Sequence, residues 1–246
     1  MFGSSLRKAV ILLLVLGITV AVPAHADSPG PKFKLVSKDI VDTITSPDHL
    51  TQVDQYFRDA ADDRLLYQFW AFDGDHQHGV LLNRGEDTDL AGYPAWFRFS
   101  PDSQWLVRMQ KTGAGYQSLL LYHRSGLKFS AATSKPLSDL AWDYFFDQPL
   151  SRKMHRYRKD RDSLDHAQAN LVKGFDENYA GLGQHWPDSR YLVISLSFDS
   201  QGEDKPGPWI EDWWCVYDLK TGAFSIPPDF AENNAKTVKN PGSNKP

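Results

Sequence analysis

A single cysteine, Cys215, stands among 246 residues, so the fold cannot rest on an intrachain disulfide. It lies in the apolar run Trp213-Trp214-Cys215-Val216-Tyr217, which points to a buried, inert thiol rather than a reactive one. Positive charge is not in excess either: 27 Lys and Arg stand against 31 Asp and Glu, for a net charge of −4. That balance leaves no electrostatic footprint for nucleic acid. Catalytic patterns are also scarce. There is no Gly-x-Ser-x-Gly elbow, and no spacing singles out a Ser/His/Asp triad. Gly181-Leu182-Gly183 lacks the strand and helix context of a nucleotide-binding loop.

What is present begins with an export signal. Arg7 and Lys8 precede an apolar run from Ala9 to Val22, followed by Pro23 and the small-residue triplet Ala24-His25-Ala26. This is the three-part secretory pattern. The run is shorter than the roughly 20 residues a spanning helix needs, which disfavours the alternative of an uncleaved anchor. We expect residues 1–26 to be a signal peptide cleaved after Ala26, leaving a periplasmic or secreted chain that does not span the membrane. No cysteine lies near the cleavage point, which argues against a lipoprotein. The leader holds two basic residues and no acidic one, so the mature chain is more acidic than the whole. About 220 residues remain, enough for one domain with a real core. An apolar fraction of 41% is that of a globular chain, and eight Trp suit strands and flat contact surfaces.

A repeat organises this domain. Pro101-Asp102-Ser103-Gln104-Trp105-Leu106-Val107 matches Pro187-Asp188-Ser189-Arg190-Tyr191-Leu192-Val193. Downstream, Leu119 to Tyr122 and Phe129-Ser130 match Trp214 to Tyr217 and Phe224-Ser225. A weaker copy aligns Ala61 to Tyr67 with Pro101 to Val107, and Val80-Leu81-Leu82 with Leu119 to Leu121. The offsets approximate one and two periods of about 43 residues. Each unit reads as a Pro-Asp turn, a strand, a loop, a second strand and a Gly turn at Gly85, Gly126 or Gly222. Trp105 and Tyr191 are expected to be equivalent, largely buried aromatics.

These Pro-Asp units resemble the blades of TolB-like and WD40-like β-propellers, and Asp218-Leu219-Lys220-Thr221-Gly222 is similar to the closing turn of such a blade. The resemblance implies a mainly β fold of propeller-like meanders, with units at about 60–90, 100–131 and 186–227, and a scaffold for binding rather than catalysis. Three units are fewer than a usual ring, which predicts a partial or atypical propeller. A helical and basic insert, 136–174, interrupts the series. Leu137, Leu140, Ala141, Tyr144 and Phe145 recur at helical spacing and predict a helix over 137–148, with Ser138 as N-cap and Pro149 as its stop. The stretch Arg152 to Arg161 is basic and reads as a solvated face, or as a contact for anionic lipid or an acidic protein. Residues 27–230 form the expected domain, and 231–246, rich in Asn, Lys, Pro and Gly, a flexible tail.

Two clusters could carry a site. The group Trp209, Glu211, Asp212, Trp213 and Trp214 combines ring faces that stack on sugars or clamp extended peptide with carboxylates for hydroxyls, and Trp209, Glu211 and Trp213 are its expected ligand-binding residues. Glu211 and Asp212 are adjacent and so point to opposite faces of a regular strand, a poor acid–base pair. Asp73, Asp75 and His78 could ligate a divalent metal, although a polar tip is also what a hairpin needs. The expectation is an exported, non-enzymatic binding protein without cofactor or metal. Its partner is a protein or an envelope glycan such as peptidoglycan. An enzyme inhibitor or immunity protein is one version, and a metal-assisted hydrolase built on the Asp73–His78 loop is the alternative.

Overall fold

Alternation of apolar residues decides where strands form and which way they face. Along β8 (Trp105–Gly113), Leu106 packs to one side and Val107 and Met109 to the other, so both faces of the strand are covered. The computed structural model describes residues 28–38, 43–60, 64–82, 90–154, 157–158, 166–172, 189–198 and 209–239. The expected leader and its cleavage point lie outside these residues. So do Asp62-Asp63, Gly85, Gly181 to Gly183, Pro187-Asp188, most of the basic run beyond Met154, and 240–246. Among the described residues, no helix is long and apolar enough to cross a membrane.

The fold is mainly β, in two sheets of which neither closes on itself. The first contains β1 (Lys34–Leu35), β2 (Ile44–Thr45), β3 (Thr51–Asp59), β4 (Leu65–Asp73), β5 (Gly79–Leu81) and β6 (Leu90–Ala91). Its path runs β1-β3-β4-β5, with β2 on β3 and β6 on β4. The second contains β7 (Ala95–Phe99), β8, β9 (Tyr116–Ser125), β10 (Lys128–Ala131), β11 (Gln168–Leu171), β12 (Tyr191–Phe198), β13 (Trp209–Asp218), β14 (Ala223–Ser225) and β15 (Val238–Lys239). Its path runs β14-β13-β12-β11-β9-β8-β7, with β10 on β9 and β15 on β13. Among the described residues every pairing is antiparallel except β9 with β11, which meet in parallel at Gln117 and Gln168. The turn before β9 holds Gly115 at φ +80, directly under the ring of His166; a Cβ there would collide with that ring, so only glycine lets β11 approach β9.

Three four-stranded meanders emerge: β2 to β5, β7 to β10 and β11 to β14. The turn between the first two strands is the same in units one and two. In unit two, Asp102 Oδ1 accepts from the Ser100 hydroxyl (2.6 Å) and the Gln104 N–H (3.0 Å), and Ser103 sits at φ +62. In unit one, Asp48 Oδ1 accepts from the Ser46 hydroxyl (2.6 Å) and the Leu50 N–H (3.1 Å), and His49 sits at φ +58. The first copy therefore starts at Ser46-Pro47-Asp48, not at Ala61. Leu65 to Tyr67 open the third strand of the unit, and Val80-Leu81 belong to its fourth. The sequence alignment is displaced by one strand because the acidic pair Asp62-Asp63 also precedes an apolar run, Leu65 to Tyr67.

Neighbouring units are joined by a repeated bond: the Asp48 N–H donates to Ser103 Oγ, and the Asp102 N–H donates to Ser189 Oγ, each at 3.0 Å. Between units one and two, Arg124 adds a second link, donating to Asp48 Oδ2 at 2.7 Å. Phe69 of unit one packs on Phe97 of unit two in a core that also holds Val53, Phe99 and Leu106. The other face of unit two packs with α1 (Leu137–Asp147) and unit three, through Leu119, Phe145, Ile194 and Trp213. The outer face of unit three is covered by α2 (Pro228–Thr237), whose Phe230 meets Val193, Val216 and Trp214.

Three local expectations change. Trp105 and Tyr191 occupy equivalent first positions of their strands but are only half-buried; full burial passes to Leu106, Val107, Leu192 and Val193, which lie further into the sheet. The helix starts at Leu137 with Pro136 as N-cap and no side-chain cap, because Leu137 and Ser138 both turn into the core. Residues 231–239, assigned by composition to a tail, continue as α2 and β15, since Phe230, Asn234 and Thr237 supply a buried stripe that polar composition hides. Helix α1 does end before Pro149, where a 3-10 turn (Pro149–Met154) takes over.

Candidate functional site

Strand β13 carries the irregularity that shapes the site. Its pairing with β12 shifts register between Leu196 and Phe198, and opposite that shift Asp212 adopts φ +54. A non-glycine residue in the left-handed region is uncommon and persists only when its surroundings hold it there. Three groups hold Asp212: its N–H donates to Ser197 Oγ (2.9 Å), its carboxylate accepts from Ser195 Oγ (2.8 Å), and its carbonyl accepts from Asn233 (3.2 Å). The bulge breaks the expected alternation, so Glu211 and Asp212 are both exposed instead of facing opposite sides.

Asp212 looks into a cleft of about 410 Å³ between units two and three. Trp96 and Arg98 of β7 line it from one side. From unit three come Asn170, Ser195 and Trp214, which are direct cross-strand neighbours on β11, β12 and β13 and so form one row. Trp96 is 44% exposed, the most open tryptophan among the described residues. A volume in this range, with two indoles and a few polar groups, suits a small ligand or one segment of a polymer.

Both walls are held by side-chain amides that imitate strand pairing. The Gln55 amide accepts from the Ala95 N–H (2.9 Å) and donates to the Ala95 carbonyl (2.7 Å), securing the β7 edge to unit one. The Asn234 amide of α2 does the same for Trp214, at 2.8 and 2.7 Å. Replacing Asn234 by Leu leaves both backbone groups of Trp214 without these partners. Asn234→Leu is expected to cost about 2–3 kcal/mol, read by urea unfolding, and to shift the tryptophan emission of the folded protein. Unchanged stability and emission would show that α2 does not hold this wall.

The residues singled out from sequence are distributed differently. Trp213 is 1% exposed, with its ring on Phe145 and Tyr144 of α1, so it is a core residue and not a surface contact. Trp209 is half-buried and Glu211 exposed, and neither lines the cleft. Asp73, Asp75 and His78 lie in the hairpin tip between β4 and β5. Asp73 Oδ1 accepts from the backbone N–H groups of Gln77 (2.8 Å) and His78 (3.3 Å), closing the turn. His76 leans away to Asp54 at 2.9 Å and stacks on Phe72. Among the described residues, no three His, Cys, Asp or Glu gather in a metal-binding arrangement. Cys215 is buried, and burial pushes its thiol up, away from the reactive thiolate.

Asp212 and Trp214 of the cleft belong to the aromatic-acidic group that the sequence offers, whereas Trp96, Arg98, Asn170 and Ser195 are not singled out by sequence. The one available signal was Trp96 and Arg98, which alternate with the apolar Ala95, Phe97 and Phe99 and so face away from the core. Comparison with known proteins gives no matching family model and no matching curated protein.

Proposed function

We propose that this chain is an exported, non-enzymatic binding protein whose three meanders are blades of an incomplete β-propeller, and that the cleft between units two and three holds a segment of a cell-envelope glycan. The blade reading is supported by the repeated Ser-Pro-Asp turn and the repeated inter-unit hydrogen bond. The observation that carries the binding reading is Asp212, held in a strained conformation beside the Asn170–Ser195–Trp214 row and across from Trp96. Strain of this kind collects at ligand clamps. Indole faces suit sugar rings, and the Asn170 amide, the Ser195 hydroxyl and the Asp212 carboxylate suit their hydroxyls.

The test is titration of the exported protein with soluble peptidoglycan and polysaccharide fragments, followed by tryptophan fluorescence. Trp96→Ala is expected to weaken binding at least about tenfold, the loss of roughly 1.4 kcal/mol, while leaving the unfolding midpoint unchanged because the side chain is so open. A protein partner captured in place of any glycan, or binding indifferent to Trp96→Ala, would overturn this assignment.

A further inference from the structure

Arg98 belongs to two clefts at once. Besides the tryptophan-lined cleft, it lines a second cavity of about 610 Å³ with Lys38, Thr43, Thr45 and Phe99, between the β2 region of unit one and β7 of unit two. Arg98 is thus a wall residue common to both cavities. Among the described residues, the charged groups that line the second cavity are Lys38 and Arg98, both cations. Among the described residues neither has a carboxylate at ion-pair distance, although Asp48, Asp54, Asp143, Asp147, Asp218 and Glu232 are all paired elsewhere. One N–H of Arg98 donates to the Phe97 carbonyl at 2.8 Å, which leaves its other N–H groups to a ligand.

A guanidinium and an ammonium that line one cavity are matched to a carboxylate, which binds them by charge-assisted hydrogen bonds. A neutral ligand would cover these cations without replacing their water, at a cost in affinity. We infer that the two cavities together recognise an acidic glycan, with a carboxylate of a uronic acid or a muramic-type sugar taken by Arg98 and Lys38 and a neighbouring ring lodged in the Trp96–Trp214 cleft. The inference rests on the glycan reading above and adds its charge class. An acidic peptide would satisfy the same cations and is the competing outcome that the test includes.

The experiment is a glycan array that pairs each acidic oligosaccharide with its carboxyl-reduced twin, followed by calorimetry of the hits on the full chain. The acid form is expected to bind at least about tenfold tighter than its twin at low salt, as one charge-assisted pair provides. The preference should shrink as salt is raised. Arg98→Gln is expected to abolish the preference, and Lys38→Gln, an exposed substitution with little bearing on folding, to reduce it. If Arg98→Gln does not fold, Lys38→Gln and the salt series decide the matter. Equal binding of acid and twin overturns the inference and leaves the glycan reading standing. Binding of no glycan, or binding of oligoglutamate instead, overturns both.

Discussion

Asp48→Ala is expected to lower the stability of the fold by about 3 kcal/mol, because it strips the buried Arg124 of its counter-charge. Arg124 is 7% exposed and donates to the carbonyls of Ser103 and Gly126 as well as to Asp48. Those carbonyls satisfy its geometry but do not neutralise it. Removing the carboxylate therefore leaves a cation in the seam between units one and two, and also releases the Ser46 hydroxyl and the Leu50 N–H from the turn. Arg124→Met in the same background should recover part of the loss, since an apolar pair tolerates the seam better than a lone charge. Urea unfolding of the two single variants and the double variant measures this directly. Additive losses would mean that the two residues do not act as a pair.

Acid should reach the same link. Burial pushes the Asp48 carboxyl up, but the Ser46 hydroxyl, the Leu50 N–H and Arg124 together outweigh this and hold it below its ordinary value. A carboxylate whose pKa is depressed in the folded state contributes stability that is complete above its unfolded value, near 4, and fades as pH falls through the folded value. Wild type should thus lose stability on acidification over that range, and Asp48→Asn should lose less. Parallel acid profiles for the two proteins would separate Asp48 from the acid response.

How much of this could be read in advance depends on whether a feature is local. The helix at Leu137–Asp147 and its stop before Pro149 follow from spacing and from proline's missing N–H, both properties of neighbouring residues. The double-sided cover of Trp214 and Val216 on one face, and Cys215 and Tyr217 on the other, follows from a strand without polar alternation. The first repeat is misplaced by sequence because two acidic stretches, Ser46 to Leu50 and Ala61-Asp62-Asp63, each precede an apolar run and compete. Only the bond from the Asp48 N–H to Ser103 identifies the true equivalent. The cleft was invisible for a stronger reason. Trp96, Asn170, Ser195 and Trp214 come from four strands, and their meeting depends on the parallel contact of β9 with β11 and on a bulge at Asp212 that no local pattern announces.

Trp213→Ala is the largest single loss we expect, about 3–5 kcal/mol, the usual range for emptying a fully packed tryptophan site. The indole contacts Phe145 edge-on at 5.1 Å between ring centres and Tyr144 at 6.1 Å, so it joins unit three to α1. The same core carries Leu119 and Leu121 of unit two, and α1 is packed against both units through it. A cavity there weakens the seam between units two and three as well as the strand it starts in. Domains of this size are stable by only about 5–15 kcal/mol, so the loss should be evident as a large fall in the urea midpoint. Trp209→Ala, at the half-buried start of the same strand, is expected to cost clearly less. The contrast tests the assignment of roles: both tryptophans have the composition of a binding surface, but only Trp213 is committed to the core. Because its cavity lies beneath β13, Trp213→Ala should also blunt the fluorescence response to ligand by loosening Trp214. A Trp213→Ala protein that unfolds like wild type would refute the packing of α1 against unit three.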